Sequence, residues 1–91
     1  MYKLETTHQF KVDFKSLSVS DTNKVLSALK ILEETGTLPR DPYLTHILKG
    51  EYKDCNEAHI KPNLLIIWFK IDKGTIKLLR VGSHSKLFRK Y

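Results

Sequence analysis

Leu64-Leu65-Ile66-Ile67-Trp68-Phe69-Lys70-Ile71, then Asp72-Lys73-Gly74, then Thr75-Ile76-Lys77-Leu78-Leu79-Arg80-Val81, is the stretch on which the fold turns. Its first run is apolar on both faces, which marks a central strand. Asp72-Lys73-Gly74 reads as a hairpin turn, so the second run returns antiparallel beside the first.

Reading outward, Cys55 to Lys61 alternates cleanly. Asn56, Ala58 and Ile60 point one way; Cys55, Glu57, His59 and Lys61 point the other, so His59 shares a face with charges. Pro62-Asn63 is a turn. Thr45 to Lys49 is a further strand, followed by a turn at Gly50-Glu51. Thr37 to Tyr43, with Pro39 and Pro42, is a loop. At the other end Gly82-Ser83 closes the last strand, and His84 follows at once.

Nearer the N-terminus the period changes. Phe10, Phe14 and Leu17 recur at helical spacing, with Val12 near the stripe and Lys11, Asp13 and Lys15 facing outward. Thr6 and Gln9 offer a capping box. Ser20 caps a second helix, with Asp21 in its first turn; Val25, Leu26, Leu29 and Leu32 form its buried stripe, beside Ala28. Gly36 is its C-terminal stop. Tyr2 to Thr6 is a short strand. The order is β-α-α-β-β-β-β: an α+β fold with a two-helix hairpin on a twisted, mostly antiparallel sheet of four to five strands. The opposite sheet face is expected to be open.

Ninety-one residues suit a single domain, 1–91, with one core and room for a surface site. The longest apolar run, Leu64 to Phe69, falls far short of the ~20 residues of a membrane span. The N-terminal residues lack a secretory pattern and there is one cysteine, so a cytoplasmic location is expected. Charge is distributed unevenly. Residues 1–45 carry six basic and six acidic side chains; residues 46–91 carry ten and four, so the net +6 lies in the second half. Such a surface suits a polyanion, although lysines also keep small domains soluble and blunt sheet edges. The tail Arg89-Lys90-Tyr91 is expected to be frayed.

If the later strands are neighbours, His46, His59, Arg80 and His84 converge. Metal-free RNA cleavage needs a base for the 2′-hydroxyl, an acid for the leaving 5′-oxygen and a cation on the phosphate. Histidine, with a reference pKa of ~6.5, serves as either acid or base, and arginine's planar fork suits a phosphate. Tyr43, Tyr52, Trp68 and Phe88 are candidates to stack on a base. The plainer readings stand alongside. An isolated histidine is usually a surface or packing residue; Arg80 has Glu57 as a cross-strand partner; Cys55 is an ordinary side chain. Three histidines suit zinc or nickel in principle, but no close His-x-His or His-x3-His pair supports a metal.

The segments His46-x-Leu48-x-Gly50-x-Tyr52-Lys53, Glu57-Ala58-His59-Ile60-x-Pro62, Leu64-Leu65-Ile66-Ile67-Trp68 and Leu79-Arg80-x-Gly82-Ser83-His84-Ser85-x-Leu87-Phe88 resemble the YafQ branch of RelE-type toxins. Phe10-Lys11-x-Asp13-x-Lys15 is a weaker match to that branch's first helix. The resemblance implies a RelE-like, microbial-ribonuclease-like fold and a ribosome-dependent endoribonuclease that cuts mRNA in the ribosomal A site. It leaves a 2′,3′-cyclic or 3′-phosphate and a 5′-hydroxyl. It implies no cofactor and no membrane. The implied partner is a cognate antitoxin, of ribbon-helix-helix type, through which the pair binds operator DNA. Carried over by position, His46, His59 and His84 are the acid/base residues, with His84 as general acid. Arg80 holds the phosphate. Lys49, Lys53, Lys61, Asn63, Lys86 and Phe88 contact RNA. Thr45, Asn56 and Asn63 depart from the aspartate, arginine and aspartate usual in the family, and Asn63 cannot serve as a base. These departures keep open a second reading: a weak or inactive homologue acting as an antitoxin-bound co-repressor or a ribosome- or RNA-binding module.

Overall fold

The computed structural model describes residues 1–88; the tail expectation for Arg89, Lys90 and Tyr91 falls outside them. β1 (Lys3–Thr6) leads into α1 (His8–Lys15), α2 (Val19–Thr35) and the short α3 (Arg40–Tyr43). β2 (His46–Ile47), a 3-10 turn at Gly50–Tyr52, β3 (Asn56–Lys61), β4 (Leu64–Asp72), β5 (Thr75–Gly82) and α4 (His84–Leu87) follow. The five strands lie in the order β1-β5-β4-β3-β2. β1 pairs parallel to β5, and the remaining pairs are antiparallel.

Local chemistry moves several boundaries from their expected places. Thr6 stays in β1, opposite Leu78, so the helix cap passes to Thr7. Its Oγ1 accepts the Phe10 amide at 2.9 Å and donates to the Leu79 carbonyl at 2.8 Å, tying α1 to β5. Ser18, not Ser20, caps α2 by accepting the Asp21 amide at 3.0 Å; such a cap is worth ~1 kcal/mol. Gly36 ends α2 as expected, at φ 82°, and a Cβ there would lie 2.4 Å from the Tyr2 ring. Only glycine meets both demands. The expected strand at Thr45 to Lys49 shrinks to two residues, because the chain turns back at Gly50 with φ 81°.

The main core lies between the helices and one sheet face. Val25, Ala28 and Leu32 of α2 meet Ala58, Ile66, Trp68, Ile76, Leu78 and Val81. Leu26 is half-exposed rather than buried. It sits on the flank of α2, where it lines a shallow groove with Phe10, Phe14 and Leu29. The second sheet face is not bare as expected. Leu65 and Ile67 are fully buried there, under Leu87 of α4 and the partly buried Leu48, Tyr52, Leu79 and Phe88. This smaller apolar cluster forms the floor between the polar groups described next.

Candidate active site

Arg80 stands on β5 opposite Ile67. A lone guanidinium inside an apolar sheet needs a counter-charge, and Asp13 supplies it from α1. Arg80 Nε donates to Asp13 Oδ2 at 2.7 Å, and Nη2 to Oδ1 at 3.1 Å. β1 ends at Thr6, opposite Leu78, which leaves the last part of β5 without a strand neighbour on the edge away from β4; Asp13 Oδ2 accepts the Val81 amide there at 3.2 Å. Gln9 donates to Oδ1 at 3.1 Å. Burial raises the Asp13 pKa, but the hydrogen bonds from Arg80, Gln9 and Val81 outweigh it and hold the carboxyl below its usual range. Donating to Asp13 likewise holds Arg80 above its ordinary value despite burial. Arg80 therefore does not pair with Glu57, and Asp13 does not face outward: it is fully buried. Lying three residues after Phe10, Asp13 sits on the flank of α1 that faces β5.

Arg80 Nη1 also reaches the Tyr52 hydroxyl at 3.4 Å. Tyr52 packs edge-on against Phe88, centroids 5.8 Å apart, and Phe88 lies 4.9 Å from the exposed His84 ring. Ser83 caps α4 by accepting the Lys86 amide. Asn63, in the β3–β4 turn, accepts the His84 amide through Oδ1 at 3.0 Å. His84 is thus placed by its backbone while its ring faces solvent. Asn63 has its acceptor oxygen engaged inside the protein.

The other two histidines meet on Glu57. His46 of β2 pairs with Glu57 of β3, and His59 stands two residues further on the same strand face. Glu57 is 4% exposed, although the period-two reading had placed it on an exposed polar face. Its Oε1 lies 3.1 Å from His46 Nε2 and 3.6 Å from His59 Nε2. The two rings are 6.4 Å apart. His46 Nδ1 faces the Leu44 carbonyl at 3.0 Å. Leu44 adopts a left-handed conformation, φ 51°, that ends α3 just before β2.

Sheet register relates the two groups. Glu57, Ile67 and Arg80 form one cross-strand row, with His46 extending it; His59, Leu65 and Gly82 form the next, two residues before His84. Directly paired residues point to the same face. With strands ~4.8 Å apart, two strand spacings put about 10 Å of backbone between the Glu57 and Arg80 positions, the scale of a nucleotide.

The remaining expected residues divide. Lys49 and Lys53 are exposed. Lys61 is bound to Asp21 at 2.7 Å, and Lys86 donates to Ser16 Oγ at 3.0 Å with Asp13 3.6 Å away. Trp68, at 1% exposure, belongs to the core and cannot stack on a base; Tyr43 also packs against that core. Burial and the Asp54 charge push the Cys55 thiol up, away from reactivity. Among the described residues, no group of three or more His, Cys, Asp or Glu side chains is arranged to hold a metal ion, and no helix is long and apolar enough to cross a membrane. Sequence reasoning missed Asp13 and Glu57. The signal for Asp13 was its place in Phe10-Lys11-x-Asp13-x-Lys15. For Glu57 it was a carboxylate two residues before a histidine on one strand face.

A family model described as the bacterial toxin of type II toxin–antitoxin systems, YafQ, matches residues 2–89. The mRNA interferase toxin YafQ of Escherichia coli is 33% identical over 88 residues, 93% of this chain and 94% of that protein. A copper-bound mutant toxin from Helicobacter pylori is 32% identical with a TM-score of 0.81, covering 97% of this chain and 100% of that one. In the E. coli DinJ–YafQ complex the matching chain is 28% identical, with a TM-score of 0.79 and coverage of 97% and 99%. The chain belongs to the YafQ family of toxins from bacterial type II toxin–antitoxin systems.

Proposed function

We propose that the chain is a ribosome-dependent endoribonuclease that cuts translated mRNA by metal-independent acid–base chemistry. The observation that supports it best is the shared row of the sheet. Arg80 stands at one end, linked to His84 through Tyr52 and Phe88, and His46 stands at the other, with His59 on the adjoining row. Arg80, charged and pre-aimed, holds the scissile phosphate. An imidazole of the His46–His59 pair removes the 2′-hydroxyl proton. The 2′-oxygen forms its bond to phosphorus as the bond to the 5′-oxygen breaks, and His84 protonates that 5′-oxygen. The products are a 2′,3′-cyclic phosphate and a 5′-hydroxyl. Phe88 and Tyr52 offer ring surface beside the phosphate.

A ribbon-helix-helix antitoxin is the partner under this reading, with operator DNA bound only through the complex; the E. coli relative's complex with DinJ supports an antitoxin partner. A ribosomal substrate places the action in the cytoplasm. Mapping mRNA 5′ ends after brief induction tests the reading. New 5′-hydroxyl ends inside translated frames are expected. Stable association with ribosomes or antitoxin without new ends would instead support the co-repressor or binding-module reading, for which Asn63 speaks because it adds no carboxylate to the site.

A further inference from the structure

α4 has four residues, far short of the ~12–15 at which an isolated helix becomes even marginally stable in water. It carries His84 at its first position, so whatever holds α4 decides where that imidazole stands. Ser83 caps it locally, and the buried Leu87 plugs it into the second apolar cluster. One buried side chain fixes a depth but not a direction. Two polar ties fix the direction. At one end Asn63 accepts the His84 amide at 3.0 Å. At the other, Lys86 Nζ donates to Ser16 Oγ at 3.0 Å and lies 3.6 Å from Asp13 Oδ1. The Lys86 stem lies across Gly82, where a Cβ would come within 3.3 Å of its Cδ. Ser16 ends α1, and Asp13 is the carboxylate that grips Arg80. α4 is thus tied to the same helix that braces the arginine.

We propose that Asn63 and Lys86 are positioning residues for His84, and that Lys86 references the imidazole's helix to the brace of Arg80, so that acid and phosphate anchor keep one spacing. The family resemblance implies RNA contacts for both residues. Here their polar atoms are engaged inside the protein instead: the Asn63 oxygen on the His84 amide, the Lys86 ammonium on α1. Such ties act on geometry rather than on affinity. A misplacement of ~1 Å between reacting groups costs about 10²-fold in rate, whereas a lost RNA contact weakens binding. The role also fits the departure at position 63. An asparagine oxygen accepts an amide N–H as an aspartate oxygen does, so the tie survives although the charge is gone. The catalytic consequence rests on the ribonuclease reading; the clamping of α4 does not.

Amide hydrogen exchange in the full chain tests the clamp without any activity. The Leu87 and Phe88 amides, bonded to the Ser83 and His84 carbonyls, report on α4. Lys86→Met keeps the stem and removes the ammonium; Asn63→Ala removes the acceptor. In each variant the two amides are expected to exchange about tenfold faster, as for the loss of one hydrogen bond. The amides of Ile67 and Leu78 in β4 and β5 should be unchanged, which shows that the fold survives. Unchanged α4 exchange in either variant overturns the proposal. Cleavage of translated mRNA tests the consequence. Lys86→Met and Asn63→Ala are each expected to lower kcat by about 10²-fold, with KM and the salt dependence of RNA binding kept. Lys86→Arg and Asn63→Asp, which keep the donor and the acceptor, should restore part of the loss. A raised KM with a flatter salt dependence in Lys86→Met would make that residue a phosphate contact and overturn its assignment. Loosened α4 amides beside a wild type that makes no cuts would strike the ribonuclease reading and leave the clamp standing.

Discussion

Arg80 and His46 stand on one row of the sheet and are held in opposite ways. The Arg80 side chain is 19% exposed and gripped by a fully buried carboxylate sixty-seven residues away. The His46 side chain is 51% exposed, on a two-residue edge strand. The difference matches the demands of the task proposed for each. A phosphate anchor works best when its charge is fixed before the substrate arrives, since no reorganisation is then needed. Proton-transfer groups must stay open to the atoms they serve.

His84→Ala should separate chemistry from architecture most sharply. The ring is exposed, so the fold should survive while single-turnover mRNA cleavage falls by ~10²–10⁴-fold; retained cleavage would remove His84 from the mechanism. Asp13→Ala should act on the gripped end through stability. Breaking a buried pair leaves Arg80 uncompensated and should cost about 3–5 kcal/mol in denaturant unfolding; a loss no larger than that of a surface pair would mean that Asp13 is not the brace. Acid should probe the same carboxylate. Its folded-state pKa is depressed, so its contribution is complete above the unfolded value of ~3.9 and is lost as pH falls through the lower folded value. Unfolding free energy should therefore drop more steeply below about pH 4 in the wild type than in Asp13→Asn. The smallest effects should come from Lys49, Lys53 and Lys61. Lys61→Ala should cost no more than about 1 kcal/mol, as for an exposed pair. Lys49→Ala or Lys53→Ala should each lower the salt dependence of RNA binding by about one phosphate contact, and Lys61→Ala should leave it unchanged.

Much of this could be read from residues alone, because period-two and period-3.6 patterns report directly on burial. The β4–β5 hairpin, the helix stop at Gly36 and the α+β order came from such patterns. Chain-distant pairings did not. Nothing near Asp13 in sequence says that Arg80 needs it, and a carboxylate at an alternating position looks solvated until a short strand such as β2 covers it. The caps at Thr7 and Ser18 were misplaced by one and two residues because several hydroxyls compete for each helix start. The four proposed catalytic residues were grouped on the expectation that the later strands are neighbours, and the family resemblance then gave them roles. Their spatial relation came from register, which sequence expresses only through its turns.

The most direct test of the central claim, that one nucleotide bridges both ends of the row, is amide NMR titration with a short RNA carrying a 2′-deoxy block at the scissile position. The account expects the amides of Arg80 and His84 and those of His46 and His59 to shift together, with one concentration dependence. Shifts confined to one end, or to the α2 face, would contradict it.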